Sequence, residues 1–517
     1  MKQKFYSFIE FYRFSKTVLL MNKQYEIYKK TNDICEKYNY ASYVISFDVN
    51  TVCPKKNKEY AYENMNYFSG EVYKLKTSDE YYNCLKYLVE NQEDLNEVEK
   101  IAIKKEYEEL TKERKLPQEK FFEMMDITTK TSLSWEEARE TLDFSEFEKH
   151  LDVLVKFYKE YIEIMKDKYE GYNVLLDDME DDFTIDKYDE FFNLLEKELL
   201  PVVKQILALP KKYNEKIKEV SFDIDKQKKL TRFIADIMDY TNEVGYIGET
   251  IHPFTNSNNL NDVRTTTAYD EYNFIGNLYS VMHEIGHALY ELQNDPKFNQ
   301  TVLFGGTSCA IHESQSRFYE NYLGRSKEFI SFIYPKLVEI FPEELKDFTV
   351  DDVYYYVNDV TAQPIRIDAD ELTYPFHVLI RYKIEKMLFN NEIEAKDICD
   401  VFNKLMNEYL GITPENKKVG GFQDVHWTSG FGYFPTYALG SAMSAQFLNA
   451  MEKDFNPFED LKEGNFVRIN EWLKEHVHKY GRSIKNLEVV KLATNEEFNP
   501  KYYVEYLKNK FAKIYNL

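Results

Sequence analysis

Residues 275–292 read Ile275-Gly276-Asn277-Leu278-Tyr279-Ser280-Val281-Met282-His283-Glu284-Ile285-Gly286-His287-Ala288-Leu289-Tyr290-Glu291-Leu292. Ile275, Leu278, Met282, Ile285, Leu289 and Leu292 step by three and four, so the stretch predicts a helix with a continuous apolar stripe, buried in the protein. On that helix His283 and His287 lie one turn apart and leave the same face, where both imidazoles can share one metal ion. Glu284 sits beside them, placed to take a proton from a water molecule at the metal. Two imidazoles and a carboxylate are costly to bury without a chemical task. Two neutral imidazoles and a spare carboxylate are what peptide hydrolysis by zinc requires.

A catalytic zinc site takes three protein ligands and leaves one position open. Downstream the chain runs Gly305-Gly306-Thr307-Ser308-Cys309-Ala310-Ile311-His312-Glu313-Ser314-Gln315-Ser316-Arg317. A helix starting near Thr307 or Ser308 carries His312 and Glu313 about 100° apart. Spacing alone does not choose between them. Cys309 is a third candidate and would make the site closed and structural.

The run His312 to Arg317, following the His-Glu-Ile-Gly-His helix, resembles the carboxypeptidase Taq family of zinc metallocarboxypeptidases. Further signatures of that family occur in order. They are His252-Pro253-Phe254, Asp262-Val263-Arg264-Thr265-Thr266, Ile365-Arg366-Ile367-Asp368-Ala369-Asp370, and Gly420-Gly421-Phe422-Gln423-Asp424-Val425-His426-Trp427, followed by Gly432 to Tyr437. Weaker similarity extends through Trp135-Glu136-Glu137-Ala138-Arg139, Leu175 to Asp178, Glu471-Trp472-Leu473 and His478 to Arg482. The resemblance covers roughly residues 24–517, which reads as a single catalytic domain after an N-terminal extension, 1–23. Met21 is an alternative start to Met1.

The resemblance implies Glu313 as the third zinc ligand, with His312 a neighbour. It implies a metal-dependent carboxypeptidase that releases single amino acids from peptide C-termini with broad specificity. Such an enzyme needs a fixed cation for the terminal carboxylate, and the planar fork of Arg suits it. The resemblance favours Arg366 as that anchor, with Arg264 as a second contact or a brace. For the oxyanion of the reaction it offers His426 and Tyr433, with Tyr437 in reserve. The implied fold is a helical two-lobed saddle with a deep active-site groove, similar to neurolysin. A homodimer is also implied, as is Zn²⁺, which Co²⁺ or Mn²⁺ can replace at such a site. The chain departs from the family at Ala268, Asp368, Pro375 and after Tyr290, but no proposed ligand or base is lost.

Two other readings compete. A neurolysin-type zinc oligopeptidase cuts inside short peptides and has no use for Arg366 as an anchor. A helical binding scaffold would have kept the fold and lost the chemistry. His252 and His377 read as satisfied structural histidines, and His150, His476 and His478 as residues of amphipathic outer stretches.

Composition agrees with a helical chain. Gly at 17 and Pro at 14 of 517 residues fall below the usual ~7% and ~5%, and strand-like alternation is scarce. A net charge of −23 leaves no basic stripe for nucleic acid. Five scattered cysteines without a Cys-x-x-Cys pair indicate a reducing compartment, and a cytoplasmic location is expected. No apolar run reaches the length of a membrane span. The acidic run Asp177 to Asp182 lacks the glycine and spacing of a calcium loop and reads as a loop leading into a helix at Ile185.

Overall fold

A computed structural model describes residues 2–517, with side chains from residue 20 onward. Met1 lies outside the described residues, as do the side chains of most of the segment read as an extension. The chain is mostly α: twenty α-helices and three short strands are found among the described residues. No described helix is long and apolar enough to cross a membrane.

The helix read from the apolar stripe spans Phe274–Leu292 and is called the motif helix below. Asn273 starts it, its side chain accepting from the Gly276 amide at 2.9 Å, which satisfies one of the orphan donors of the first turn. Met282 and Ile285 are fully buried and Leu289 nearly so. Each such side chain contributes roughly 1.5–3 kcal/mol of hydrophobic stabilisation. The helix packs on a small sheet of β1 (Gly245–Glu249), β2 (Thr255–Asn259) and β3 (Asp262–Thr267). The strand order is β1-β3-β2, with β1 parallel and β2 antiparallel to β3.

The second ligand-bearing segment forms the Cys309–Arg317 helix, called the ligand helix. Ser308 caps it by accepting from the Ile311 amide at 3.2 Å, as the sequence anticipates for a start near Thr307 or Ser308. It runs on into a π-helical turn, Phe318–Leu323. Two glycines let neighbouring helices close on it. A Cβ at Gly286 of the motif helix would lie 2.8 Å from the Gln315 carbonyl oxygen and from Ser316 Cα. A Cβ at Gly440, in the Phe434–Asp454 helix, would lie 2.9 Å from both the Ala310 carbonyl oxygen and Glu313 Cβ. The ligand helix is thus held backbone to backbone on two sides.

Most of the buried apolar side chains form one large core around these three helices. A separate cluster of Met21, Tyr81, Cys84, Leu85, Leu88, Leu95, Ile103 and Leu110 holds the N-terminal helices together. A cavity of about 1510 Å³ lies between the Glu97–Glu113 helix and the motif helix, lined from one side by Lys104, Glu108 and Lys112 and from the other by His283, Glu284 and His287. This is the groove expected of the saddle.

Three minor expectations are corrected. His478 is fully buried, not on an outer stretch, and bridges Gln293 and Gln315 at 2.7 and 2.8 Å. His252 is exposed in the loop between β1 and β2 and has no hydrogen-bond partner among the described residues. The acidic run is not a loop throughout: Asp177, Asp178 and Met179 end the Tyr172–Met179 helix, and Glu180 is fully buried, its carboxylate accepting from the Ala310 amide, at the start of the ligand helix, and from Asn486.

Candidate active site

His283, His287 and Glu313 present three donor atoms that all lie within 4.8 Å of one another. Glu313 Oε2 is 3.8 Å from His283 Nε2 and 3.6 Å from His287 Nε2. With ligand bonds of about 2.0–2.2 Å these separations suit three corners of a tetrahedron, so the donor set fits a divalent ion. His312 and Cys309 are not in this set.

The tautomers fit as well. His283 Nδ1 is 2.8 Å from Glu320 Oε2, so its proton sits on Nδ1 and the Nε2 lone pair is free for a metal. Glu320 is itself held by Arg317 at 3.1 Å and Arg325 at 3.4 Å. Burial opposes its ionisation, but Arg317 and His283 beside it keep its carboxyl well below the usual range. His287 Nδ1 is 2.6 Å from His312 Nδ1, and His312 Nε2 is 2.7 Å from Glu291 Oε1. One proton assignment satisfies this chain: His287 donates to His312, and His312 donates to Glu291. Burial, and then His312, hold the His287 imidazole well below its ordinary pKa, in the neutral form a metal needs. Glu313 Oε1 accepts from Arg317 Nε at 2.7 Å, which turns Oε2 toward the histidines.

Glu284 is buried beside this set. Thr255 Oγ1 on β2 donates to Glu284 Oε2 at 2.6 Å and fixes the carboxyl plane. Burial raises the pKa of Glu284, the direction that suits a general base working near neutrality.

The family model for carboxypeptidase Taq (M32) metallopeptidases matches residues 27–511. The chain belongs to that family. It is 39% identical over 485 residues to Carboxypeptidase 1 of Bacillus subtilis (strain 168), covering 93% of this chain and 96% of the relative. It is 37% identical over 423 residues to Thermostable carboxypeptidase 1 of Pyrococcus furiosus, covering 81% and 85%. Among solved structures, that of Pyrococcus furiosus carboxypeptidase superposes with a TM-score of 0.90 at 34% identity, over 94% of this chain and 98% of the other. The M32 carboxypeptidase of Deinococcus radiodurans gives a TM-score of 0.91 at 26% identity, over 95% and 100%. The protein is therefore a metal-dependent carboxypeptidase.

The remaining candidate residues fall in three places. Tyr433 and Tyr437 line the cavity beside the ligands. His426 and Arg366 stand behind them and do not line it: His426 Nε2 is 3.0 Å from the Tyr437 hydroxyl, and the Arg366 guanidinium lies 4.8 Å from the Tyr437 ring centre. Burial, and then Arg366, lower the His426 pKa to about 4, so the ring is neutral. Arg366 is 5% exposed, with Nε donating to Asp424 Oδ1 at 2.9 Å and Nη1 to the Tyr374 hydroxyl at 3.3 Å. Arg264 is not brought to the metal ligands. It forks onto Asp262 with two bonds of 2.8 Å, packs against Tyr43 and Phe47, and lines a different cavity with Asp48 and Tyr246. That placement fits the brace more closely than the second substrate contact.

His377 departs from the reading given above: it is fully buried, but neither ring nitrogen has a partner among the described residues. Burial, followed by the nearby Arg381 and Arg366, takes its pKa down to about 3 and keeps the ring uncharged.

Sequence reasoning missed Thr255, Glu291, Glu320, Arg317, Tyr374, Arg381 and Asp424. A partial signal existed for two of them. Glu313, Arg317 and Glu320 step by four and three, so they share a helix face. Thr255 follows His252-Pro253-Phe254 directly, but nothing in its residue type marks it.

Proposed function

We propose that this enzyme is a zinc carboxypeptidase of broad specificity that removes one residue at a time from peptides with a free C-terminus. His283, His287 and Glu313 would hold Zn²⁺, with Co²⁺ or Mn²⁺ as functional substitutes. A divalent ion in that set supplies Lewis-acid activation of water and of the scissile carbonyl. Glu284, oriented by Thr255, takes the proton of the attacking water and passes it to the departing amine. Burial raises the pKa of the Tyr433 and Tyr437 hydroxyls, so both stay protonated and can donate to the oxyanion. His426 stands behind Tyr437 as a neutral ring and orients its hydroxyl. Arg366 would hold the terminal carboxylate through the guanidinium edge that Asp424 and Tyr374 leave free, which requires the Tyr437 side chain in front of it to yield because Arg366 does not itself line the cavity, with Arg264 bracing the β-sheet. The observation that carries this reading is the convergence of three donor atoms within 4.8 Å beside a carboxylate fixed by Thr255.

The reading extends to a single catalytic domain over residues 24–517, a homodimer and a cytoplasmic location. The family assignment and the reducing-compartment composition support these, and sedimentation of the purified protein tests the dimer. The test of the activity is release of free amino acid from an unmodified peptide and from its C-terminally amidated twin, with chelator and then with added zinc, cobalt or manganese. Stepwise, chelator-sensitive loss from the free C-terminus alone is the expected result. Internal cleavage of both peptides would place the enzyme with the oligopeptidases and remove the anchor role of Arg366.

A further inference from the structure

Two arginines share one acid beneath the tyrosine wall of the groove. Asp424 Oδ1 accepts from Arg366 Nε at 2.9 Å, and Asp424 Oδ2 accepts from Arg381 Nε at 2.7 Å with Arg381 Nη2 2.6 Å away. Asp424 is 6% exposed and Arg381 fully buried. Burial works against ionisation of Asp424, but Arg381 and then Arg366 keep its carboxyl well below the usual range. The two histidines beside the triad, buried His377 and half-buried His426, are neutral. The triad therefore carries one positive charge that the protein does not balance locally. An unbalanced buried charge is expensive, and a structural network would be expected to neutralise it.

The same segment holds the Arg366 backbone in place. Gln423 Oε1 accepts from the Arg366 amide at 2.7 Å, while its Nε2 donates to the Pro364, Val419 and Gly420 carbonyls at 2.8–3.1 Å. Trp135 and Arg139 in turn hold the carbonyls of Phe422, Lys418 and Gln423. With Nε and Nη1 engaged, Nη2 is the one guanidinium nitrogen of Arg366 that has no partner among the described residues.

We infer that Arg381, Asp424 and Gln423 are positioning residues for recognition of the substrate carboxylate. Gln423 and Asp424 aim Arg366, and Arg381 cancels the charge of Asp424 so that a full positive charge remains for an incoming carboxylate. Arg381 thus sets selectivity for a free C-terminus without touching the substrate. The inference rests on the reading of Arg366 as the carboxylate anchor, so the experiment includes Arg366→Ala as a separate arm.

The measurements are KM and kcat on a free peptide, with inhibition constants for the released amino acid and for its carboxamide. Arg381→Met leaves Arg366 paired with Asp424 and no net charge. The expected result is an increase of about tenfold or more in KM and in the amino acid's inhibition constant, with kcat and the carboxamide constant little changed. Arg381→Lys keeps the charge and should restore most of the loss. Metal content and melting temperature serve as folding controls. If Arg381→Met does not fold, the double variant Arg381→Met/Asp424→Asn removes the buried pair and leaves Arg366 as the sole charge. That variant should keep carboxylate preference over carboxamide while losing kcat, because Arg366 is charged but unaimed. Equal weakening of amino acid and carboxamide, or no change in either, would overturn the inference. If Arg366→Ala itself fails to distinguish the two inhibitors, the anchor reading has failed first.

Discussion

Replacing Gly440 by Ala tests whether the ligand helix is placed by backbone contact. The added methyl carbon would sit 2.9 Å from Glu313 Cβ and 3.0 Å from Glu313 Cγ. Carbon atoms prefer separations of about 3.5–4.0 Å. Relief therefore requires roughly 0.5–1 Å of separation between the Phe434–Asp454 helix and the ligand helix, at a cost of about 1–3 kcal/mol. Glu313 is the side chain pushed, and metal sites tolerate ligand displacements of only about 0.2 Å. Reactive geometry misplaced by about 1 Å can lower turnover about a hundredfold. The expected outcome is a modest fall in melting temperature, metal affinity weaker by about tenfold or more, and a larger loss in kcat/KM. Chelator competition reads the affinity, and steady-state release of amino acid reads the rate. A variant that loses stability but keeps metal affinity and kcat/KM within about twofold would show that helix spacing does not set the ligand geometry.

Other expectations follow from the same contacts. Glu320→Gln keeps the shape beside His283 but removes the charge, so metal affinity should weaken by about 10–100-fold in a chelator competition with no change of secondary structure. His312→Ala breaks the chain from His287 to Glu291 and should act in the same direction; unchanged affinity in both variants would remove the orienting role of these partners. Glu284→Gln should keep the metal and lose most peptidase activity, and full activity would displace Glu284 as the base. Glu385 is buried, accepts from Tyr172 and from the Gly432 amide, and has a pKa raised by burial from 4.5 to about 7. A raised folded-state value means that its stabilising contribution is full below about pH 4.5 and is lost as pH rises through about 7, by roughly 3 kcal/mol. Denaturant midpoints from pH 5 to 8 should therefore fall in the native chain and fall less in Glu385→Gln; parallel curves would contradict this.

The metal site was legible because its signal is local. His283, Glu284 and His287 fall on one helical face whose apolar stripe spans 275–292, and the helix found is Phe274–Leu292. Glu313 was legible only through resemblance, since neighbours 100° apart on a helix cannot be separated by spacing. The partners that orient these groups come from other segments. Thr255 reaches Glu284 from a strand, and Asp424 reaches two arginines that are 58 and 43 residues away in sequence. No periodicity encodes such meetings. His478 was misread because burial depends on how helices pack, and His377 because the partners of a buried ring come from other segments, neither of which their immediate neighbours reveal.

The separate apolar cluster of the N-terminal helices has a thermodynamic consequence. Cooperativity in unfolding comes from shared burial, and the cluster around Tyr81 and Leu85 is distinct from the core that holds the metal ligands. Segments with their own cores open as independent units, each with its own free energy. Calorimetry of the metal-loaded enzyme should then resolve a component that metal does not shift, because only the unit containing the ligands gains binding free energy. A peptide lying in the groove touches both units and should bring the two transitions together.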